Sequence, residues 1–427
     1  MKLWVLMVCC ALASLANAQG WICAEGGGTG SGPWAAEMYG WMAEKGGNGH
    51  VVLLGAVELD DKPDPREAAF LRAGAKSARS LVITADNADT QETFDAINEA
   101  SIIFIRGGSQ SRYVEWWKGT KTEAAIRAVF ARGGVVGGTS AGCAILGEVS
   151  YDARNGSLRP EEIVKDARHP DLTLTKDFLG LVPGVLFDTH FGERARLPRL
   201  AVMLGHCRED LKVEPIGIGL DPKTALCIGP DGMAEVRGEG YATFLELSPG
   251  AVLRLDAGNP PGVGQARMSL AKAGARFDVR KRALIDAPNW SGQRPLTISL
   301  APRDFSGALA TPMPERQTPA EAVLARVQQH GSLVLIRDPY GAPNAVMKHV
   351  HELVFAKGGV CVLVGEGGNV RLDNSMLINN GNEAIVVVSG LSGRRPGPHQ
   401  LLRVFAPGWE GPIGGLLASP PTSPPAP

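Results

Sequence analysis

Gly138-Thr139-Ser140-Ala141-Gly142 sets a serine in a G-x-S-x-G frame. The apolar pair Val135-Val136 precedes it, and an apolar helical start, Ala144-Ile145-Leu146, follows. A strand-to-helix turn of this composition is a nucleophile elbow. Its bend is sharp, its flanking residues must be small, and the serine hydroxyl projects from the carboxyl edge of a sheet. The helix that follows aims amides and the positive end of its dipole at any oxyanion formed there. A serine hydroxyl also needs a base within hydrogen-bond reach. His190 ends the strand-like run Val185-Leu186-Phe187-Asp188-Thr189, so it is expected at the same sheet edge as Ser140. His169 and His206 fall in polar segments and read as surface residues.

Other residues complete the constellation. Arg106-Gly107-Gly108-Ser109-Gln110 also ends a strand, and paired glycines let an amide approach closely. The N–H groups of Gly108 and Ala141 are therefore the expected oxyanion hole. Arg194, Arg196 and Arg199 follow His190, and guanidinium groups beside a nucleophile bind a substrate carboxylate through paired donors. Gly26-Gly27-Gly28 reads as a tight turn after Trp21-Ile22-Cys23-Ala24, and Trp116-Trp117 packs a helix or rims a pocket. His349-Val350-His351 would share a face on a strand, but the segment reads as a helix, so no metal site is expected there. No cofactor motif is found.

These side chains need a frame. Continuous apolar runs at His50–Gly55, Ser80–Thr84, Ser101–Ile105 and Gly134–Gly137 suit strands buried on both faces. Helical periodicity lies between them at Pro65–Ala73, Asp89–Ala100 and Thr122–Arg132. The alternation predicts an α/β fold with a doubly wound, mostly parallel sheet. Short runs at Ile216–Asp221, Ala225–Ile228, Met233–Val236, Tyr241–Leu247 and Ala251–Leu255, with one last strand at Arg276–Leu284, predict an antiparallel β extension. Residues 286–321 read as a linker carrying one strand, Leu296–Leu300. A smaller C-terminal αβ segment occupies 322–417, with strands at Ser332–Ile336, Val360–Val364 and Ala384–Val388 and a helix at Ala345–Lys357. A proline-rich tail, 418–427, reads as disordered.

The first 18 residues carry a signal pattern: Lys2, an apolar run from Leu3 to Leu15, and Ala16-Asn17-Ala18 as the cleavage site. The expected destination is secreted or periplasmic. Of the seven cysteines, those beyond the signal read as small buried side chains rather than a disulfide framework. A net charge of −1 excludes a bulk electrostatic nucleic-acid binder. No later run is apolar enough to span a membrane, so neither nucleic acid nor membrane is an expected partner.

Gly107-Gly108-x-Gln110, the Ser140 elbow and Asp188-x-His190-Phe191-x-x-Arg194-x-Arg196-x-x-Arg199-Leu200 together resemble the cyanophycinase and dipeptidase E family of serine peptidases. Gly217-Ile218-Gly219-Leu220-Asp221-x-x-Thr224-Ala225 and Arg276-Phe277-Asp278 extend the likeness, which covers residues 24 to 285. The resemblance implies a class I glutamine amidotransferase-like fold within a domain spanning 19–285. It implies hydrolysis of aspartyl or β-aspartyl peptides by a Ser140 acyl-enzyme, with His190 as base and a homodimer as assembly. Gln110, Asp188, Arg194, Arg196 and Arg199 match its substrate-binding positions. Two positions depart from the cyanophycinase pattern: Thr189 replaces a glutamine, and Pro222 stands where a glutamate orients the histidine. Asp221, one residue earlier, or Asp152 could substitute. Otherwise a Ser-His dyad remains, or an inactive protein that binds acidic peptides. An α/β-hydrolase esterase is a further alternative, although its histidine comes late in the chain.

Overall fold

The computed structural model describes residues 20–286, apart from 29, 58–62, 164, 195 and 260, and beyond them five strands between 296 and 405. The first half alternates strand and helix. Strands β1 (Trp21–Glu25), β2 (His50–Gly55), β3 (Ser77–Val82), β4 (Ile102–Ile105) and β5 (Val135–Thr139) interleave with helices α1 (Pro33–Lys45), α2 (Pro65–Arg72), α3 (Gln91–Asn98), α4 (Gln110–Trp117) and α5 (Lys121–Ala131). The five strands pair in parallel, in the order β3-β2-β4-β5-β1. All four residues of β4 are buried, as a central parallel strand requires. Local chemistry sets the helix starts. Pro65 opens α2 behind Asp64, whose carboxylate accepts from Arg66 N at 2.9 Å, and Thr90 caps α3.

A second sheet begins after the short helix α6 (Ala141–Ala144). It contains β6 (Gly147–Tyr151), β7 (Leu174–Lys176), β8 (Val182–Asp188) and β9 (Ile216–Leu220), with α7 (Pro160–Ile163) and α8 (Leu197–Glu209) between them. Strands β6, β8 and β9 run parallel. The remaining strands are β10 (Thr224–Ile228), β11 (Met233–Gly238), β12 (Ala242–Leu247), β13 (Leu253–Arg254), β14 (Gly262–Ala271), β15 (Arg276–Asp278) and β16 (Ala283–Asp286). They extend both sheets antiparallel: β10, β11, β15 and β16 continue the first, and β12 and β14 the second. The expected single strand at Arg276–Leu284 is thus a hairpin. Its turn carries Arg280-Lys281-Arg282 and is closed by Lys281 N donating to Asp278 Oδ1 at 2.9 Å.

Three packed layers hold the sheets. Helices α1 and α2 cover one face of the first sheet through Met38, Met42 and Phe70 against Leu53 and Phe104. The other face joins the second sheet in one continuous core that includes Ile105, Trp117, Val136, Phe187 and Ile218. Helix α8 closes the far face with Leu200, Met203 and Leu204. Each large apolar side chain fully buried this way contributes about 1.5–3 kcal/mol.

Strands β17 (Leu296–Pro302), β18 (Ser332–Arg337), β19 (Val360–Glu366), β20 (Ala384–Gly390) and β21 (Leu401–Phe405) continue the second sheet, because β17 pairs with β14. Position 286 is therefore not a sheet boundary. The signal pattern at 1–18, the helix read at Ala345–Lys357 and the tail at 418–427 lie outside the described residues. Cys23, Cys143, Cys207 and Cys227 are buried free thiols. Among the described residues no helix is long and apolar enough to cross a membrane.

Candidate active site

Ser140 occupies the junction of β5 and α6 with φ 52° and ψ −113°. Such a backbone is strained for a residue with a side chain and is found where function needs a fixed projection. The flanking glycines follow from crowding. A methyl on Gly138 would stand 2.5 Å from the Gly142 backbone, and one on Gly142 would stand 2.2 Å from the Ile105 carbonyl oxygen.

His190 follows β8, so it belongs to the second sheet and not to the edge that carries Ser140. Helix α6 contacts both β5 and β8 and brings the two sheet ends together. The imidazole Nε2 lies 3.0 Å from Ser140 Oγ. Its backbone is also in the left-handed region, φ 47°, and its N–H donates to Gly26 O at 2.7 Å. Gly27 backs the ring: a methyl there would fall 2.4 Å from Nε2. The turn read at Gly26–Gly28 is thus part of the site, a role that glycine abundance hid.

The other ring nitrogen, Nδ1, lies 3.1 Å from Glu193 Oε1. An ionised carboxylate only accepts, so Nδ1 carries the proton and Nε2 turns a lone pair toward the serine hydroxyl. Burial, and then the Arg194 charge, hold the His190 pKa below its ordinary value, while Glu193 acts in the opposite sense. Glu193 was not singled out from the sequence; H-x-x-E spacing was its only signal.

Asp221 does not take the orienting position expected of it. It is buried, and its carboxylate accepts from Gly192 N at 2.8 Å and Tyr241 N at 2.9 Å. It therefore clamps the backbone of the turn that carries His190 and Glu193. Burial outweighs those two amides and raises its pKa to about 6. Asp152 is committed elsewhere, to Arg154, Thr173 and Thr175.

The sequence model of peptidase family S51 matches residues 66–236. A cyanophycinase of Synechococcus elongatus is 28% identical over 206 residues, 47% of this chain and 60% of that protein. One of Geminocystis herdmanii is 30% identical over 182 residues, 42% of this chain and 61% of that protein. The chain spans about 60% of the length of these curated relatives. The crystal structure of a peptidase from an acI-B1 Actinobacterium aligns with 61% of this chain and 97% of its own, at 19% identity and a TM-score of 0.42.

Within residues 66–236, the Gly107-Gly108 loop passes beside Ser140. A methyl on Gly107 would lie 3.5 Å from Ser140 Cβ, and Tyr113 Oη fixes the loop by donating toward Arg106 O and Gly107 O at 2.9 and 3.1 Å. Ala141 N opens α6, and Gln110 opens α4. The basic trio is split by burial. Arg194 is half-exposed, with Nε 3.4 Å from Glu193 Oε1. Arg199 is fully buried. Its Nε donates to Asp188 Oδ2 at 3.1 Å, its Nη2 to Asp188 Oδ1, and its Nη1 to Leu158 O at 2.9 Å. Arg196 donates to Thr189 O at 2.5 Å, and burial with the Arg199 charge lowers its pKa to about 9. The expectation that Asp188 and Arg199 hold substrate is therefore corrected: their charges satisfy each other between β8 and α8. His206 is corrected too. It is buried, bonded to Asp210 and to Ala167 O.

Proposed function

We propose that the chain is an exported serine peptidase that hydrolyses aspartyl or β-aspartyl peptide bonds. The observation that carries this reading is the 3.0 Å contact of His190 Nε2 with Ser140 Oγ at a strained elbow. His190 takes the hydroxyl proton as Ser140 Oγ attacks the carbonyl carbon. The amides of Gly108 and Ala141 receive the oxyanion, a contribution worth about 3–4 kcal/mol per donor in such sites. His190 then gives the proton to the leaving amine, and water, deprotonated by the same imidazole, releases the acyl group. Glu193 supplies the orientation that Pro222 cannot, which favours an active hydrolase over an inactive binder. Arg194 and Gln110 face the substrate side of this centre in the proposal.

Ser140→Ala is expected to lower kcat on Asp-X and β-Asp-X dipeptides by about 10⁴–10⁶. A fluorophosphonate probe is expected to label Ser140 in the parent protein. Undiminished turnover in the variant would remove the mechanism, and an unlabelled parent would leave the binding-protein alternative. Export predicts a mature N-terminus at Gln19, which mass spectrometry of the secreted or periplasmic protein reads directly.

A further inference from the structure

We propose that Arg66 and Arg106, with Tyr39 and Glu25, form the subsite for the substrate's free carboxylate, on the α1/α2 side of Ser140. The assignment rests on the peptidase reading above and names a subsite of that same centre. It starts from a shortage. Arg196 and Arg199 are engaged by Thr189 O and Asp188, and Arg194 is half-exposed beside Glu193. An aspartyl carboxylate held there would meet one solvated cation.

The other side of the nucleophile is different. Arg106 directly precedes the Gly107-Gly108 loop that runs beside Ser140, and it is 4% exposed. Its Nη2 donates to Val57 O at 2.9 Å, but its Nη1 has no hydrogen-bond partner among the described residues. Arg66 engages both Asp64 oxygens through Nη1, at 3.2 and 3.3 Å, while its Nε has no such partner. The Tyr39 hydroxyl and Glu25 Oε1 share that condition, and both residues are 2% exposed or less. Native interiors leave few buried polar atoms without a hydrogen bond. Here four lie near the carboxyl ends of β1, β2 and β4, with Arg106 Nη1 3.9 Å from Asp64 Oδ2 and the Tyr39 hydroxyl beside Arg66. Glu25 also contributes its backbone carbonyl to Ser140 N at 3.1 Å, which ties the group to the elbow.

The set is built for an anion. Arg66 Nε–H, Arg106 Nη1–H and Tyr39 O–H are three donors against one carboxyl oxygen. Charge agrees: both guanidinium groups lie by Asp64, and Arg66 also faces a Glu25 carboxyl that burial pushes up to about 7. With Glu25 protonated, about one positive charge is left to match one carboxylate. The Arg66 side chain keeps 20% exposure, so the group is reached from that side.

Calorimetry on the full chain carrying Ser140→Ala tests this without turnover. L-Aspartate is expected to bind at least tenfold more tightly than L-asparagine. Adding Arg106→Gln or Arg66→Gln should cut L-aspartate affinity at least tenfold and erase the preference, with Arg106→Lys recovering part of it. Tyr39→Phe removes one donor without changing shape and should cost three- to tenfold, so a folding failure of the arginine variants leaves a decisive measurement. L-Aspartate bound equally well by the Tyr39 and arginine variants would overturn the proposal. So would loss of the preference in Arg194→Gln alone. Arginine-dependent L-aspartate binding in a protein whose Ser140 resists the fluorophosphonate would keep the subsite and discard the peptidase reading. Labelling of Ser140 without L-aspartate binding would do the reverse.

Discussion

At the scale of single residues, the centre depends on a neutral imidazole. His190 must be unprotonated to accept the serine proton, so kcat/KM falls as pH drops through its pKa. Burial and Arg194 lower that pKa and Glu193 raises it, which places the acid limb of the profile below the ordinary histidine value of 6.5. Arg194→Gln should move the limb to higher pH, and Glu193→Gln should move it lower. Glu193→Gln should also reduce kcat by about tenfold to a hundredfold, less than the ~10⁴ seen when a buried orienting carboxylate is lost, because Glu193 is half-exposed and water can partly replace it. A pH–rate series on the three proteins reads all of these signs; limbs that coincide would remove Arg194 and Glu193 from the electrostatics of the ring. Gly27→Ala addresses the opposite face of the imidazole. Its methyl would lie 2.4 Å from Nε2, and its φ of +110° is strained for alanine. Activity should drop by more than a hundredfold, since a small displacement of a reacting group can cost that much. Wild-type turnover in this variant would mean that the ring does not rest where it is seen.

At the scale of elements, the buried ion pair joins β8 to α8 behind His190. Asp188→Asn would leave Arg199 and Arg196 buried with a lost counter-charge, a change that typically costs 3–5 kcal/mol. Calorimetric melting should fall by about 10 °C. A variant that melts normally and only raises KM would return Asp188 to the substrate-binding role read from its motif. The same region shows what sequence could and could not reveal. Strands β2 and β4 were legible because consecutive apolar residues in a parallel sheet are all buried, and the elbow was legible because its glycines meet backbone on both sides. Strand β6 was not, since Gly147-Glu148-Val149-Ser150-Tyr151 mixes polar and apolar residues. The β15–β16 hairpin escaped notice because its turn is built of cations rather than glycine or proline. Glu193 was hidden because a surface glutamate gains meaning only when the His190 turn bends back toward it. The clamp behind that bend, Asp221 on Gly192 and Tyr241, joins residues far apart in the chain.

At the scale of the whole molecule, Ser140 and His190 come from different sheets, so their contact depends on the second sheet staying intact. That sheet runs on past residue 286 through the pairing of β14 with β17, in a register that shifts between Val263 and Ala266. A chain ending at 286 would turn β14 into an edge of ten residues, Gly262–Ala271, carrying Arg267 as its only charge. Long, weakly charged edges pair with other chains. The shortened protein should therefore associate as its concentration rises, while the full chain does not do so through this edge. Light scattering behind a sizing column measures it. Ser269→Lys, adding a second charge to the strand, should suppress the association without restoring β17. A shortened chain that stays monomeric and melts like the full one would show that β17–β21 add nothing to the sheet on which His190 stands.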